Sequence, residues 1–140
     1  GVLGREGVYL ANYWGNGAGV GELPPYVAQA FKLYRNYDGK GGKFGDVAVT
    51  ATTPDLDATS IFAAKSRENP GELSVIVINK HQQKRFAGVI NVGAYKQARA
   101  FVLDGSGPQL VSKGPIAITD GAIRYALPPL SATLFVCNKT

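Results

Sequence analysis

The spacing of apolar positions along this 140-residue chain changes near residue 44. Before that point one strand and one helix are legible. Residues 7–13 (GVYLANY) form a short apolar run suited to a buried strand, ended by the glycine-rich stretch 14–19 (WGNGAG). Pro24 and Pro25 stand where a helix can begin, since proline is favoured in the first turn. Val27, Ala30, Phe31 and Tyr34 then recur as one apolar stripe at helical spacing. Lys32 and Arg35 fall on another face, near the C-terminal end, where cations complement the helix dipole. Asp38 and Gly39 are expected to stop this helix, with Gly39 suited to a left-handed cap.

From Asp46 onward the pattern is that of strands. Runs at 47–52, 60–65, 73–78, 86–92, 99–103, 109–112, 122–127 and 132–137 are rich in β-branched or alternating apolar residues. Turn signals such as Asn69-Pro70-Gly71 separate them. About eight short strands at this spacing predict a mainly β fold, an antiparallel β-sandwich. Eighteen glycines and eight prolines agree with a turn-rich β architecture rather than a helix bundle. One strand and one helix cannot bury their own faces, and such units belong to parallel sheets whose neighbours cover them. Residues 1–44 therefore read as the tail of a larger α/β domain, a strand-loop-helix unit without its companions, and 45–140 as the sandwich. The absence of any Met agrees with a processed chain or a piece of something longer. No signal peptide is present.

Composition removes several chemistries. The single Cys137 allows no intrachain disulfide and no cysteine-based zinc site. The single His81, in a polar turn, is expected to be solvated and excludes any site needing two histidines. No apolar run reaches the roughly 18 residues of a membrane helix, so no membrane partner is expected. The net charge of +5 is spread along the chain, with only Lys80, Lys84 and Arg85 close together, so no nucleic-acid partner is expected either. Residues 15–21 lack the Lys-Ser/Thr of a phosphate loop. Asp38 and Asp46 are too few oxygens for calcium and are better explained by a helix stop and a turn. The pairs Asp55/Asp57 and Glu68/Glu72 lie in turns, where carboxylates are usually solvated. No metal and no cofactor is expected.

Several runs carry a family resemblance. Residues 4–15 (GREGVYLANYWG) resemble the last barrel strand of glycoside hydrolase family 44, and residues 30–41 (AFKLYRNYDGKG) resemble that family's final helix and its exit. Residues 44–46 (FGD), 75–80 (VIVINK) and 127–134 (LPPLSATL) also match, the last being common to terminal sandwiches of other barrel glycosidases. The resemblance spans essentially the whole chain. It implies the C-terminal portion of an endo-β-1,4-glucanase: the last unit of a (β/α)8-type barrel, then a β-sandwich. It further implies a secreted protein, with the catalytic barrel of the same enzyme and a β-1,4-glucan as partners.

Retaining glycosidases need two carboxylates about 5 Å apart. In the resembling family both are glutamates on earlier barrel strands, and neither maps onto this sequence, so no catalytic residue is expected here. The substrate-binding candidates are Trp14 and its neighbour Tyr13. The resemblance puts Trp14 at the C-terminal end of the last barrel strand, where barrel active sites are built. A flat indole there suits a glucose ring; its ordinary role would be packing under its own loop.

Three readings stand: an accessory domain, an independent glucan-binding module, and one chain of an active retaining endoglucanase whose barrel is not in this sequence; the first two separate by surface. An aromatic platform would mark a glucan-binding module, and a broad apolar patch would mark an accessory domain docked on the barrel. Tyr95, Tyr125 and Phe135 are expected in the core. An isolated chain with the stripe around Phe31 uncovered is expected to self-associate, or to fold residues 1–44 against the sandwich.

Overall fold

The computed structural model describes residues 1–8, 13 and 23–140. Among these residues eight strands follow two helices: α1 (Val2–Arg5), α2 (Pro25–Arg35), β1 (Val47–Val49), β2 (Thr59–Lys65), β3 (Glu72–Asn79), β4 (Phe86–Asn91), β5 (Gln97–Leu103), β6 (Val111–Thr119), β7 (Ala122–Leu127) and β8 (Ser131–Asn138). All pairings are antiparallel, in the order β1-β2-β3-β8-β5-β6-β7-β4. The mainly β, eight-stranded class read from the sequence is the observed one.

The sheet curls so that β7 and β4 cover one face of its centre. Leu73, Val75 and Val77 of β3, Ala98 and Ala100 of β5, and Phe135 and Cys137 of β8 meet Ile90 of β4 and Ile123 and Leu127 of β7 in one core. Successive side chains of a strand point to opposite faces. Ile76, Phe101, Leu103, Leu134 and Val136 therefore point the other way, where Leu33 and Tyr37 pack on them. Burial on both faces explains why β3 and β8 are nearly continuous apolar runs rather than alternating ones.

The corner of the curl lies in β6. The expected strand 109–112 is instead Val111–Thr119, because the chain runs through Gly114 and Pro115 without leaving the sheet. Ala100 pairs with Gly114 and Phe101 with Ser112, so Lys113 is an extra, bulged residue. Gly114 takes φ +72, in the left-handed region that glycine tolerates. Past this bulge Gly114 to Ala117 stay paired with β5, and only then do Ile118 and Thr119 pair with β7 instead. Asp120 and Gly121, both at positive φ (52 and 72), close the hairpin with the local twist of a two-residue turn. At the outer edge β1 covers only Val47–Val49, shorter than the expected 47–52.

Helix α2 begins as expected, with Pro25 in its first turn and Lys32 and Arg35 in its last. It ends at Arg35, before the expected stop. The Asn36 N–H still donates to the Lys32 carbonyl, but Asn36 itself is extended at φ −168. Gly39 is left-handed (φ +73), in the turn that follows rather than as the cap. That turn is held by Asp38 Oδ1, which accepts from the N–H of Lys40 and Gly42 at 2.8 and 2.9 Å. The expected strand at 7–13 falls mostly outside the described residues. Of its described parts, Gly7 is in a turn at φ +68, while Val8 and Tyr13 belong to no strand.

Candidate functional site

The sequence pointed to Trp14 and Tyr13. Trp14 lies outside the described residues, and Tyr13 is half exposed (49%). The expected helix stripe is only partly in place. Tyr34 packs near the core, its ring 5.0 Å from that of Phe44. Phe31 is 50% exposed and Ala30 is exposed as well. The contact with the sheet is made by Leu33, the one buried residue of α2, and by Tyr37 just beyond the helix, whose ring lies 4.9 Å from Phe101. The signal for these two was in the sequence: Tyr26, Ala30, Leu33 and Tyr37 form a second stripe at helical spacing, beside the one chosen. Among the described residues the helix is fastened to the sheet at its C-terminal end, while Tyr26 and Phe31 of its first two turns are about half exposed.

Beside this helix lies a groove of about 600 Å³, lined by Gly4 and Arg5 of α1, Tyr34, Phe44, and the apolar edge of β1 and β2. Val2 and Leu3 on α1 are more than half exposed. Of the twelve large apolar side chains exposed among the described residues, seven (Val2, Leu3, Val8, Tyr13, Leu23, Tyr26 and Phe31) precede residue 32.

The sandwich turns its aromatics inward. Phe135 and Tyr95 are buried as expected, and Tyr125 is half-buried with its ring edge-on to Phe135 at 5.2 Å. Phe62 and Phe86 are half-buried, and no aromatic ring after residue 44 is exposed.

The carboxylates mostly organise turns. Asp55 Oδ1 accepts from the N–H of Asp57 and Ala58. Asp104 Oδ1 accepts from the N–H and hydroxyl of Ser106, which hold its carboxyl below the usual range. Asp46 accepts from the Arg67 N–H and pairs with its guanidinium at 3.5 Å. Burial raises Glu72, partly offset by the Arg99 charge. Among the described residues no three His, Cys, Asp or Glu side chains are grouped to hold a metal ion.

His81 departs from the expectation of a merely solvated side chain. It is half-buried, its Nδ1 accepts from the N–H of Gln83 and Lys84 at 3.1 and 3.0 Å, and its ring stands edge-on to Phe86. Asn79 beneath it is buried and donates to the carbonyls of Lys84, Leu127 and Pro128. The Asn79 side chain ties the β3–β4 turn to the β7–β8 turn, and the His81 side chain holds the β3–β4 turn itself. They are structural, and their signal in the sequence was only a polar turn.

No family model matches the chain. It is 35% identical over 136 residues to endoglucanase A of Paenibacillus lautus, covering 94% of this chain and 19% of that protein. Among solved structures, a Paenibacillus polymyxa xyloglucanase of glycoside hydrolase family 44 superposes with a TM-score of 0.90 at 33% identity, over 100% of this chain and 28% of that one. A family 44 endoglucanase from Clostridium acetobutylium also gives 0.90, at 27% identity, over 99% and 27%. The chain thus spans about a fifth to a quarter of the length of these relatives. By these matches, and by its mainly β fold, the chain belongs to the glycoside hydrolase family 44 endoglucanases, of which it represents one portion.

Proposed function

We propose that this chain is the non-catalytic C-terminal region of a secreted endo-β-1,4-glucanase, comprising the end of the catalytic barrel (1–44) and a β-sandwich (45–140) that stabilises the barrel. One observation carries this reading: exposed apolar side chains gather before residue 32, while the sandwich exposes no aromatic ring among its described residues. A polysaccharide platform needs flat rings in the open; a docking domain needs an apolar face. The reading therefore favours an accessory domain over an independent glucan-binding module. Catalysis and the two carboxylates it requires are assigned to the rest of the enzyme. The whole protein acts on β-1,4-glucan, with xyloglucan a fitting substrate because the P. polymyxa relative is a xyloglucanase.

Within that enzyme, Trp14 and Tyr13 contribute to the sugar-binding groove at the C-terminal end of the last barrel strand. The test is a chimera in which this chain replaces the matched 28% of the P. polymyxa xyloglucanase. Assayed by reducing-sugar release, the chimera is expected to act on xyloglucan, and the 140-residue chain alone to release nothing from xyloglucan or carboxymethylcellulose. Trp14→Ala in the chimera is expected to raise KM about tenfold, the equivalent of about 1.4 kcal/mol of lost ring contact. Unchanged kinetics would return Trp14 to a packing role.

A further inference from the structure

The geometry points to a sugar site in a small pocket between the turn that follows α2 and the β2–β3 turn, sized for one pyranose unit. The inference rests on the proposed function for the polymer at hand, and it adds a contact which that function does not assign. The pocket holds about 320 Å³, at the small end of the roughly 300–1,000 Å³ of ligand sites. Tyr37 and Phe44 supply rings to its wall. Ser66, Glu68 and Asn69 of the β2–β3 turn, with Glu72 at the start of β3, supply hydroxyl, carboxylate and amide groups. A pyranose has the same division, with C–H groups on its faces and hydroxyls around its edge that donate and accept.

Both walls are set in advance. On one side the Gly41 N–H donates to Asn36 Oδ1 at 2.7 Å, the Tyr37 N–H to the Gly42 carbonyl at 3.0 Å and the Phe44 N–H to the Tyr34 carbonyl at 2.9 Å. Glycine at 42 lets that loop lie against Tyr37, since a Cβ there would stand 2.7 Å from its ring. On the other side the Asn69 N–H donates to Ser66 Oγ at 3.0 Å and the Glu72 N–H to the Asn69 carbonyl at 2.9 Å. Walls already ordered lose less affinity to entropy on binding. The Glu72 carboxylate accepts one long bond, from Asn69 Nδ2 at 3.5 Å, and an ionised carboxylate can accept about four.

Charge selects the class of ligand. Asp46, Glu68 and Glu72 line the pocket together with Lys43. Asp46 pairs with Arg67 at 3.5 Å, and the Arg99 charge acts on Glu72. Three cations thus stand against three carboxylates, which favours a neutral ligand. An anion would meet the carboxylates, and among the described residues no three His, Cys, Asp or Glu side chains are grouped for a metal ion. A neutral polyol remains, and sugar is the polyol of the proposed function. Tyr37 is buried and Phe44 half-buried, so the rings are walls and not an open platform. The pocket takes a single unit projecting from a polymer, a side-chain residue or a chain end, rather than a chain laid flat. It adds a grip to a docking domain without making it an independent module.

The test is a titration of the 140-residue chain, followed by amide chemical shifts, with xylose, a xylosylated cello-oligosaccharide and cellotetraose. Saturable shifts are expected at residues 41–46 and 66–72, at millimolar sugar. Asn69→Ala and Glu72→Ala are each expected to weaken binding at least about tenfold, the loss of one good hydrogen bond. Asn69 is exposed, so Asn69→Ala is expected to keep the chain's Tm and carries the test if Glu72→Ala fails to fold. Tighter binding of the xylosylated oligosaccharide assigns the pocket to side-chain residues, and equal binding of cellotetraose assigns it to chain ends; either supports the site. Shifts confined to other residues, no saturation, or affinities that neither substitution changes would overturn it. So would shifts at the same amides with calcium chloride and none with sugar. The chimera separates this site from the proposed function. A stabilised chimera whose 140-residue chain binds no sugar overturns the pocket alone. Sugar binding in a chain whose chimera is no more stable than the truncated enzyme overturns the stabilising role alone.

Discussion

Two buried side chains on neighbouring strands show how different polar groups fare in this core. Asn79 places its amide against three carbonyls from two turns, and Thr133 carries a buried hydroxyl without a partner. Removing a group that satisfies buried partners costs more than the bond alone, because those partners stay desolvated. Asn79→Ala should therefore lower stability by about 2–4 kcal/mol. Thr133→Val, close in shape, should be neutral or stabilising by up to about 1 kcal/mol, since it removes an unpaired polar atom. Denaturant midpoints of the two variants check both signs. Cys137, wholly buried on β8, is a third case. Burial, aided by the Glu72 charge, pushes its thiol up from 9.0 to about 12. The folded chain holds the thiol protonated where the unfolded chain would ionise it. The stability it contributes is complete below pH 9 and declines as pH rises toward 12. A thiol reagent at pH 8 should label Cys137 only at the rate of unfolding, and rapid labelling of the native chain would contradict its inert, packed role.

At the scale of elements, the sequence was legible wherever burial is simple. β7 is the strand expected, and β3 and β8 lengthen the expected ones by a residue at each end. β6 was not legible, because Gly114 and Pro115 end a strand by local propensity, and only the bulge opposite Ala100 and Phe101 keeps it in the sheet. Helix α2 was legible as a helix but not as to its buried side, since two overlapping apolar stripes compete and the sheet selects Leu33 and Tyr37. Gly45 illustrates a constraint that no pattern reveals. A Cβ there would lie 2.6 Å from the Lys65 carbonyl oxygen and 2.7 Å from Ala64 backbone atoms. Backbone cannot yield as a side chain can, so Gly45→Ala should strip the bond from the Asp46 N–H to Lys65 and loosen the β1 edge. A loss of about 1–3 kcal/mol is expected, as for other overpacked positions, and calorimetry checks it.

At the scale of the molecule, the chain reads as one part of a larger machine. The family resemblance ran along essentially the whole chain, the early residues carried the sugar-binding candidates, and the sandwich carried the fold. What the sequence did not disclose is where the apolar surface lies, because exposure depends on which side of α2 the sheet takes up. With that known, the uncovered rings and the inward-facing aromatics point to docking rather than to an independent grip on polysaccharide. The most direct measurement is thermal inactivation of xyloglucan hydrolysis, compared between the P. polymyxa enzyme truncated of its matched region and the chimera that carries this chain. The account expects the truncated enzyme to lose activity first and the chimera to keep it to a temperature several degrees higher. Equal inactivation of the two, or sugar release by the 140-residue chain alone, would contradict a stabilising, non-catalytic role.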